Sequence, residues 1–222
     1  MENFRDVEIE DLLGRDAVEL DNKNILHWNR TEVAKHLAVL TQRPSLQLHI
    51  TVYDFVAFGR FPYTKNHLST NDKTTIAWAL DQVGIQALQH AYIDELSGGQ
   101  QQLAYIALIL AQNTQYMLFD EPIANLDIAH ALSIIKLLRQ LCEQHGKTIV
   151  LVLHELPYAA FFSDYVCALQ NGHIAYCGTP QQVLTQKNLL HLYGVEFETM
   201  AYGKHFERIV GIWSRIATFA FL

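Results

Sequence analysis

Two short apolar runs, Tyr116-Met117-Leu118-Phe119 and Thr148-Ile149-Val150-Leu151-Val152-Leu153, flank a segment whose apolar residues recur at helical spacing. Leu132, Ile135, Leu138, Leu141 and Cys142 form one stripe over Ala129–Gln144, which predicts a crossover helix. The runs themselves predict strands buried on both faces, as in a parallel sheet. One ends in Asp120-Glu121-Pro122 and the other in His154. Ligands of such sheets sit at the carboxyl ends of the strands, so Asp120, Glu121 and His154 are predicted to share one rim. Upstream, Thr51 to about Gln112 reads as all-helical, with Ile76, Leu80 and Val83 on one face and Ser69 and Thr70 as candidate caps. Thr31–Leu40 reads as a short helix running into an apolar edge, and Thr41-Gln42-Arg43-Pro44 ends it because the residue before proline is pushed out of helical geometry. No internal repeat interrupts this order.

Composition fits a globular chain: half of the 222 residues are hydrophobic and 18% are charged. The formal net charge of -7 argues against a protein held on nucleic acid by bulk positive charge. That charge is uneven, since residues 1–24 hold eight acids and three bases and so supply -5 of the total. The longest apolar stretches, Leu103–Ala111 and Ile209–Leu222, fall short of the roughly 20 residues of a membrane span. Cys142, Cys167 and Cys177 show no CxxC spacing and no signal peptide precedes them, so three reduced thiols are expected.

Three segments carry candidate chemistry. Leu96-Ser97-Gly98-Gly99-Gln100 opens the apolar helix Gln101–Gln112; glycines, a hydroxyl and a helix N-terminus suit a phosphate, and they equally suit a simple helix cap. Asp120 and Glu121 at a strand end could hold Mg²⁺ and orient or deprotonate a water, or be a solvated strand terminus. Asp127 has the position of an N-cap for the following helix. His154 alone would read as structural; beside the two acids it could contact a terminal phosphate.

Taken in order, these residues resemble the nucleotide-binding subunits of ATP-binding cassette transporters. Gln42 matches the Q-loop glutamine, Leu96–Gln100 the signature, Tyr116–Glu121 the Walker B strand, Ala124–Asp127 the D-loop and His154 the switch histidine. From about residue 12 to about 200 the chain is similar to the iron-siderophore, heme and cobalamin importer branch, most closely over Thr51–Tyr63. Asn171–Ile174 and Cys177–Leu184 match that branch's closing hairpin and helix. The resemblance implies an α/β fold: a truncated P-loop NTPase (RecA-like) parallel sheet core over about 1–47 and 113–200, an inserted all-helical signature subdomain over about 48–112, and an unassigned tail over 201–222. It implies ATP and Mg²⁺ as cofactors. Glu121 would be the catalytic base and His154 the γ-phosphate sensor. Asp120 and Gln42 would hold Mg²⁺, with Gln42 reporting nucleotide state. Ser97, Gly98, Gly99, Gln100 and Asp127 would meet nucleotide across a head-to-tail dimer. Its implied partners are a second ATPase subunit, integral membrane permease subunits docked near Tyr53–Tyr63 and, indirectly, a periplasmic or lipoprotein substrate-binding protein. Its implied place is the cytoplasmic face of the plasma membrane, with no nucleic acid partner.

One family element has no match. The family places a GxxxxGK(S/T) loop before the Q-loop glutamine, and the 41 residues before Gln42 contain none. Gly146-Lys147-Thr148 has the right ending, but Leu141 stands where the first glycine belongs. His154-Glu155 opens a zinc-protease pattern that Tyr158 breaks. Losing a backbone nest, a lysine and the Mg²⁺ hydroxyl removes several charge-assisted bonds of about 1.5–3 kcal/mol each. The expectation is therefore an N-terminally truncated cassette, inactive alone and poorly stable, with an unpaired strand edge beside the Walker B strand. Phe206–Leu222 shows no clear family likeness and reads either as a terminal amphipathic element or as a membrane or permease contact.

Overall fold

Asp21 and Asn22, both at positive φ, turn a two-stranded ribbon of β1 (Glu19–Leu20) and β2 (Lys23–Asn24); Asp and Asn enter this region more readily than most residues. The computed structural model describes residues 19–41, 49–64, 67–202, 206–210 and 218–221. Next comes α1 (Arg30–His36), whose Asn29 cap accepts the Thr31 amide proton. The sequence predicts helix through Leu40, but the chain changes to β3 (Leu37–Leu40). The reason is tertiary: this run pairs in parallel with β4 (Tyr116–Asp120), Leu37 opposite Tyr116 and Leu40 opposite Phe119, and buries Ala38 and Leu40. Sheet pairing here outweighs the local helical pattern.

Among the described residues between β3 and β4 the regular elements are helical. Thr51 caps α2 (Val52–Ala57), and Ser69 and Asp72 form a reciprocal capping box at α3 (Thr70–Gln82). Ser97 caps α4 (Gly98–Gln112), which ends on Asn113 in the left-handed conformation. Ile76, Leu80 and Val83 are all buried, as their spacing predicts. The Arg60 guanidinium ties these helices together, donating from Nε to Asp72 at 2.8 Å and from Nη1 to the Ala111 carbonyl at 2.9 Å. Gln112 Nε2 then donates to the carbonyls of Ala34 and Leu37, at 2.6 and 3.2 Å, and anchors α4 beside β3.

After β4 come α5 (Ile128–His145), β5 (Thr148–Leu153), α6 (Leu156–Phe162), β6 (Tyr165–Gln170) and β7 (His173–Gly178). They are followed by α7 (Pro180–Val183), α8 (Gln186–Tyr193), β8 (Glu198–Tyr202), β9 (Phe206–Val210) and β10 (Thr218–Phe221). The main sheet has the order β3-β4-β5-β10-β6-β7. β3, β4 and β5 are parallel, β10 is antiparallel to both neighbours, and β6 and β7 form an antiparallel hairpin. The parallel core is thus extended by antiparallel strands into a mixed sheet. Met117, Phe119, Ile149, Leu151 and Leu153 fill the fully buried face, whereas Leu118, Val150 and Val152 on the other face are only half-buried. Burial on both faces was expected of these strands and is complete on one.

Two further expectations are corrected. β4, the strand likened above to Walker B, has no unpaired edge, because β3 and β5 flank it. The three cysteines are not all thiols: Cys167 and Cys177 stand directly opposite on β6 and β7, Cα atoms 4.2 Å apart, and are joined as a disulfide, leaving Cys142 free. Cross-strand register, which ten residues of sequence separation do not reveal, brings this pair together.

Candidate functional site

β4 and β5 deliver the rim. Asp120 is the last residue of β4, paired in register with Val152, and Glu121 follows at φ 49°, its amide donating to the Val152 carbonyl at 3.2 Å. A left-handed conformation outside glycine stores strain and turns the side chain away from the strand direction. Here it aims the Glu121 carboxylate across to β5, where Oε1 is in direct contact with Nε2 of His154. The structure thus brings Glu121 and His154 into one hydrogen-bonded pair next to Asp120. Glu121 is largely shielded and the His154 ring is about half open to solvent.

Leu40, Thr41, Gln102, Asp120, Glu121, Ala124 and Asn125 line a cleft of about 60 Å³ between β3, β4 and α4. Two acids around so small a space suit a hydrated Mg²⁺, which keeps several waters and takes one or two carboxylates. Among the described residues the lining contains no lysine or arginine, and ligand pockets run to about 300–1,000 Å³, so these residues alone do not fit a nucleoside triphosphate. Gln42 lies outside the described residues.

Ser97–Gln100 stand on the other side of the loop that follows β4, whose Asn125 lines both this cleft and the next cavity. Ser97 and Gln100 cap each other: Ser97 Oγ accepts the Gln100 amide at 3.3 Å, and Gln100 Oε1 accepts the Ser97 amide at 3.0 Å. Gly98 and Gly99 form the first turn of α4, with Gly99 close against the Asn125 carbonyl. Asp127 caps α5, its Oδ1 accepting the His130 amide at 2.9 Å and its Oδ2 meeting His130 Nδ1 at 2.6 Å. The His130 backbone amide, then its ring, hold the Asp127 carboxyl below the usual carboxylate range. Ser97, Gly99, Gln100, Asn125, Asp127 and His130 line part of a second cavity of about 320 Å³. The predicted site residues therefore fall into two groups, Asp120, Glu121 and His154 on one side and Ser97–Gln100 with Asp127 on the other.

Sequence reasoning missed Gln102 and His130. Gln102, the last of three consecutive glutamines in the first turns of α4, is buried and donates to the Pro122 carbonyl at 2.8 Å, fixing the loop after Glu121 to α4. Its place four and seven residues before the buried Ile106 and Ile109 puts it on the apolar face of the helix, and that is the signal that marks it. His130 sits three residues after an N-cap aspartate, within reach of its side chain. Farther away, Asp54, Ala57, Phe58, Phe61, Thr64 and Leu68 line most of a third cavity, of about 610 Å³, with Phe61 well exposed at its edge. Among the described residues no helix is long and apolar enough to cross a membrane.

Comparison with known proteins agrees with this arrangement. The family profile described as ABC transporter matches residues 11–124. The petrobactin import ATP-binding protein YclP of Bacillus subtilis is 40% identical over 82% of this chain and 73% of its own length. The iron(3+)-hydroxamate import ATP-binding protein FhuC of the same organism is 39% identical over 82% of this chain and 68% of its length. A putative metal-chelate type ABC transporter solved in an inward-facing conformation superposes with a TM-score of 0.70 at 25% identity, covering 80% of this chain and 73% of that one. With a profile across just over half its residues and such relatives along most of their length, the chain belongs to the ABC transporter family.

Proposed function

We propose that the chain is an ATP-binding subunit of an importer for iron-siderophore-type substrates, acting peripherally on the cytoplasmic face of the membrane to energise a permease. The Glu121–His154 contact beside Asp120 carries this reading, because it joins a carboxylate able to take a proton from water with a ring able to sense a phosphate. Asp120, with Gln42, would hold Mg²⁺, which when bound neutralises phosphate charge. Glu121 orients and accepts the proton of a water; His154 holds Glu121 in place and faces solvent at the rim. The named substrates of the relatives, petrobactin and iron hydroxamates, support the substrate class. Phe58, Phe61 and the 610 Å³ groove beside them are the surface offered to the permease, and Phe61→Ala is expected to weaken co-purification with permease subunits.

The described residues of the carboxylate cleft supply no cation for phosphate, and the sequence holds no GxxxxGK(S/T) loop, so the chain alone is expected not to hydrolyse ATP. A fluorescent Mg-nucleotide titration of the isolated chain tests this. The expectation is no saturable binding in the micromolar range; micromolar binding abolished by Glu121→Gln or Ser97→Ala would overturn it. A second reading is favoured by the 320 Å³ cavity at the signature: the chain lends Ser97–Gln100 to nucleotide held by a complete second subunit.

A further inference from the structure

Cys167 is buried, yet it lies outside the main hydrophobic core. Its neighbours on β6, Val166 and Ala168, belong to that core, so strand alternation sends the Cys167 side chain to the opposite face of the sheet. β7 is an edge strand of the main sheet, and Cys177 on it is only half-buried. The two cysteines are directly paired with Cα atoms 4.2 Å apart, the close kind of antiparallel pair in which side chains meet at the shortest range.

The hairpin does not depend on the bond between them. Val166 pairs with Gly178 and Ala168 with Tyr176 on either side of it. Gln170 Nε2 donates to the His191 carbonyl at 3.3 Å, and the Tyr176 hydroxyl meets His191 Nδ1 at 2.9 Å, so α8 braces both strands. The cysteines are ten residues apart in sequence, and cross-links that close short loops restrain the unfolded chain least. With the bond broken, the ladder still holds the two sulfurs side by side, ready to rejoin. At the cytoplasmic face proposed above, the surroundings are reducing and disulfides are usually transient.

We propose that Cys167 and Cys177 are a reversible thiol-modification site, a dithiol–disulfide pair that exchanges electrons with a small-molecule thiol of the glutathione class. In reduction, a glutathione thiolate attacks Cys177 Sγ, the more open sulfur; the S–S bond breaks, and Cys167 leaves as a thiolate that takes up a proton. A second glutathione thiolate attacks the glutathione sulfur of the mixed disulfide, releasing Cys177 as a thiolate together with glutathione disulfide. Oxidation runs the same steps backwards, so two protein thiols and one glutathione disulfide give the protein disulfide and two glutathiones. Only the reducing setting rests on the importer reading. The chemistry is tested on the purified chain without nucleotide or permease, so its failure leaves that reading standing.

The full chain is equilibrated with mixtures of glutathione and glutathione disulfide, quenched in acid, unfolded and alkylated, and the labels are counted by mass. One label, on Cys142, marks the disulfide and three mark the dithiol. The disulfide should fall from about nine-tenths to about one-tenth as the ratio of squared glutathione to glutathione disulfide concentration rises about a hundredfold. Hydrogen exchange should show the β5 amides protected in both forms. A disulfide that survives a large excess of glutathione, a dithiol that survives a large excess of glutathione disulfide, or loss of β5 protection on reduction overturns the proposal. Single variants read the point of entry. With glutathione disulfide, folded Cys167→Ala should take one glutathione at Cys177 at least about tenfold faster than Cys177→Ala takes one at Cys167; equal or reversed rates overturn entry through Cys177. Should either variant not fold, the titration of the wild-type chain decides, since it needs no substitution.

Discussion

Arg60 and Asp72 show how single residues hold the helical region together, because both side chains are more than nine-tenths buried and paired. The Ser69 hydroxyl, then Arg60, keep the Asp72 carboxyl below its ordinary value. A depressed folded value means that the contribution is complete above the unfolded value of about 3.9 and is lost as pH falls through the lower folded value. Urea unfolding at a series of pH values should show stability falling below about pH 4, with a smaller slope in Asp72→Asn. That variant should also lose about 3 kcal/mol near neutrality, since it leaves Arg60 buried without its counter-charge. Gly59 is constrained by space: an added Cβ would lie 2.4 Å from the Leu108 carbonyl oxygen and 3.0 Å from the Gln112 amide nitrogen. Both are helix backbone, so Gly59→Ala should cost about 1–3 kcal/mol by thermal or urea denaturation. Burial pushes the Cys142 thiol up to about 11, which leaves about one thiolate in a thousand at pH 8. Native alkylation should accordingly be slow, with three cysteines reacting only after reduction and unfolding; rapid native labelling would contradict this placement.

At the scale of elements, the N-terminus of α4 separates cap from site. Ser97 and Gln100 satisfy each other's amides, so Ser97→Ala should destabilise the fold by about 1 kcal/mol, and Ser97→Asp should restore stability. Stability restored without the ability to stimulate a partner would assign the hydroxyl a role beyond capping. The strand–helix–strand unit around α5 was legible in the sequence because its periods are strong and its ends are marked by Asp127 and Gly146. Leu37–Leu40 was not: its apolar run continues a helical pattern, and only a partner nearly 80 residues away makes it a strand. The same physics hid the Cys167–Cys177 pair and the strand at 218–221, both products of long-range or cross-strand register.

For the whole molecule, the order of motifs in sequence became a spatial division. Asp120, Glu121 and His154 were placed on one rim by reading strand ends, and the structure brings them together through β4 and β5. The signature and Asp127 lie around a different cavity, which suits a site completed from two subunits. That division could not be read from spacing, since it depends on how α4 packs against the loop after β4 through Gln102. The most direct test compares ATP hydrolysis by the chain alone, by a complete ATP-binding cassette relative alone, and by the two mixed. The account predicts no hydrolysis by the chain alone and a rise above the relative in the mixture, lost with Gly98→Asp. Hydrolysis by the chain alone, or a mixture no more active than the relative, would contradict it.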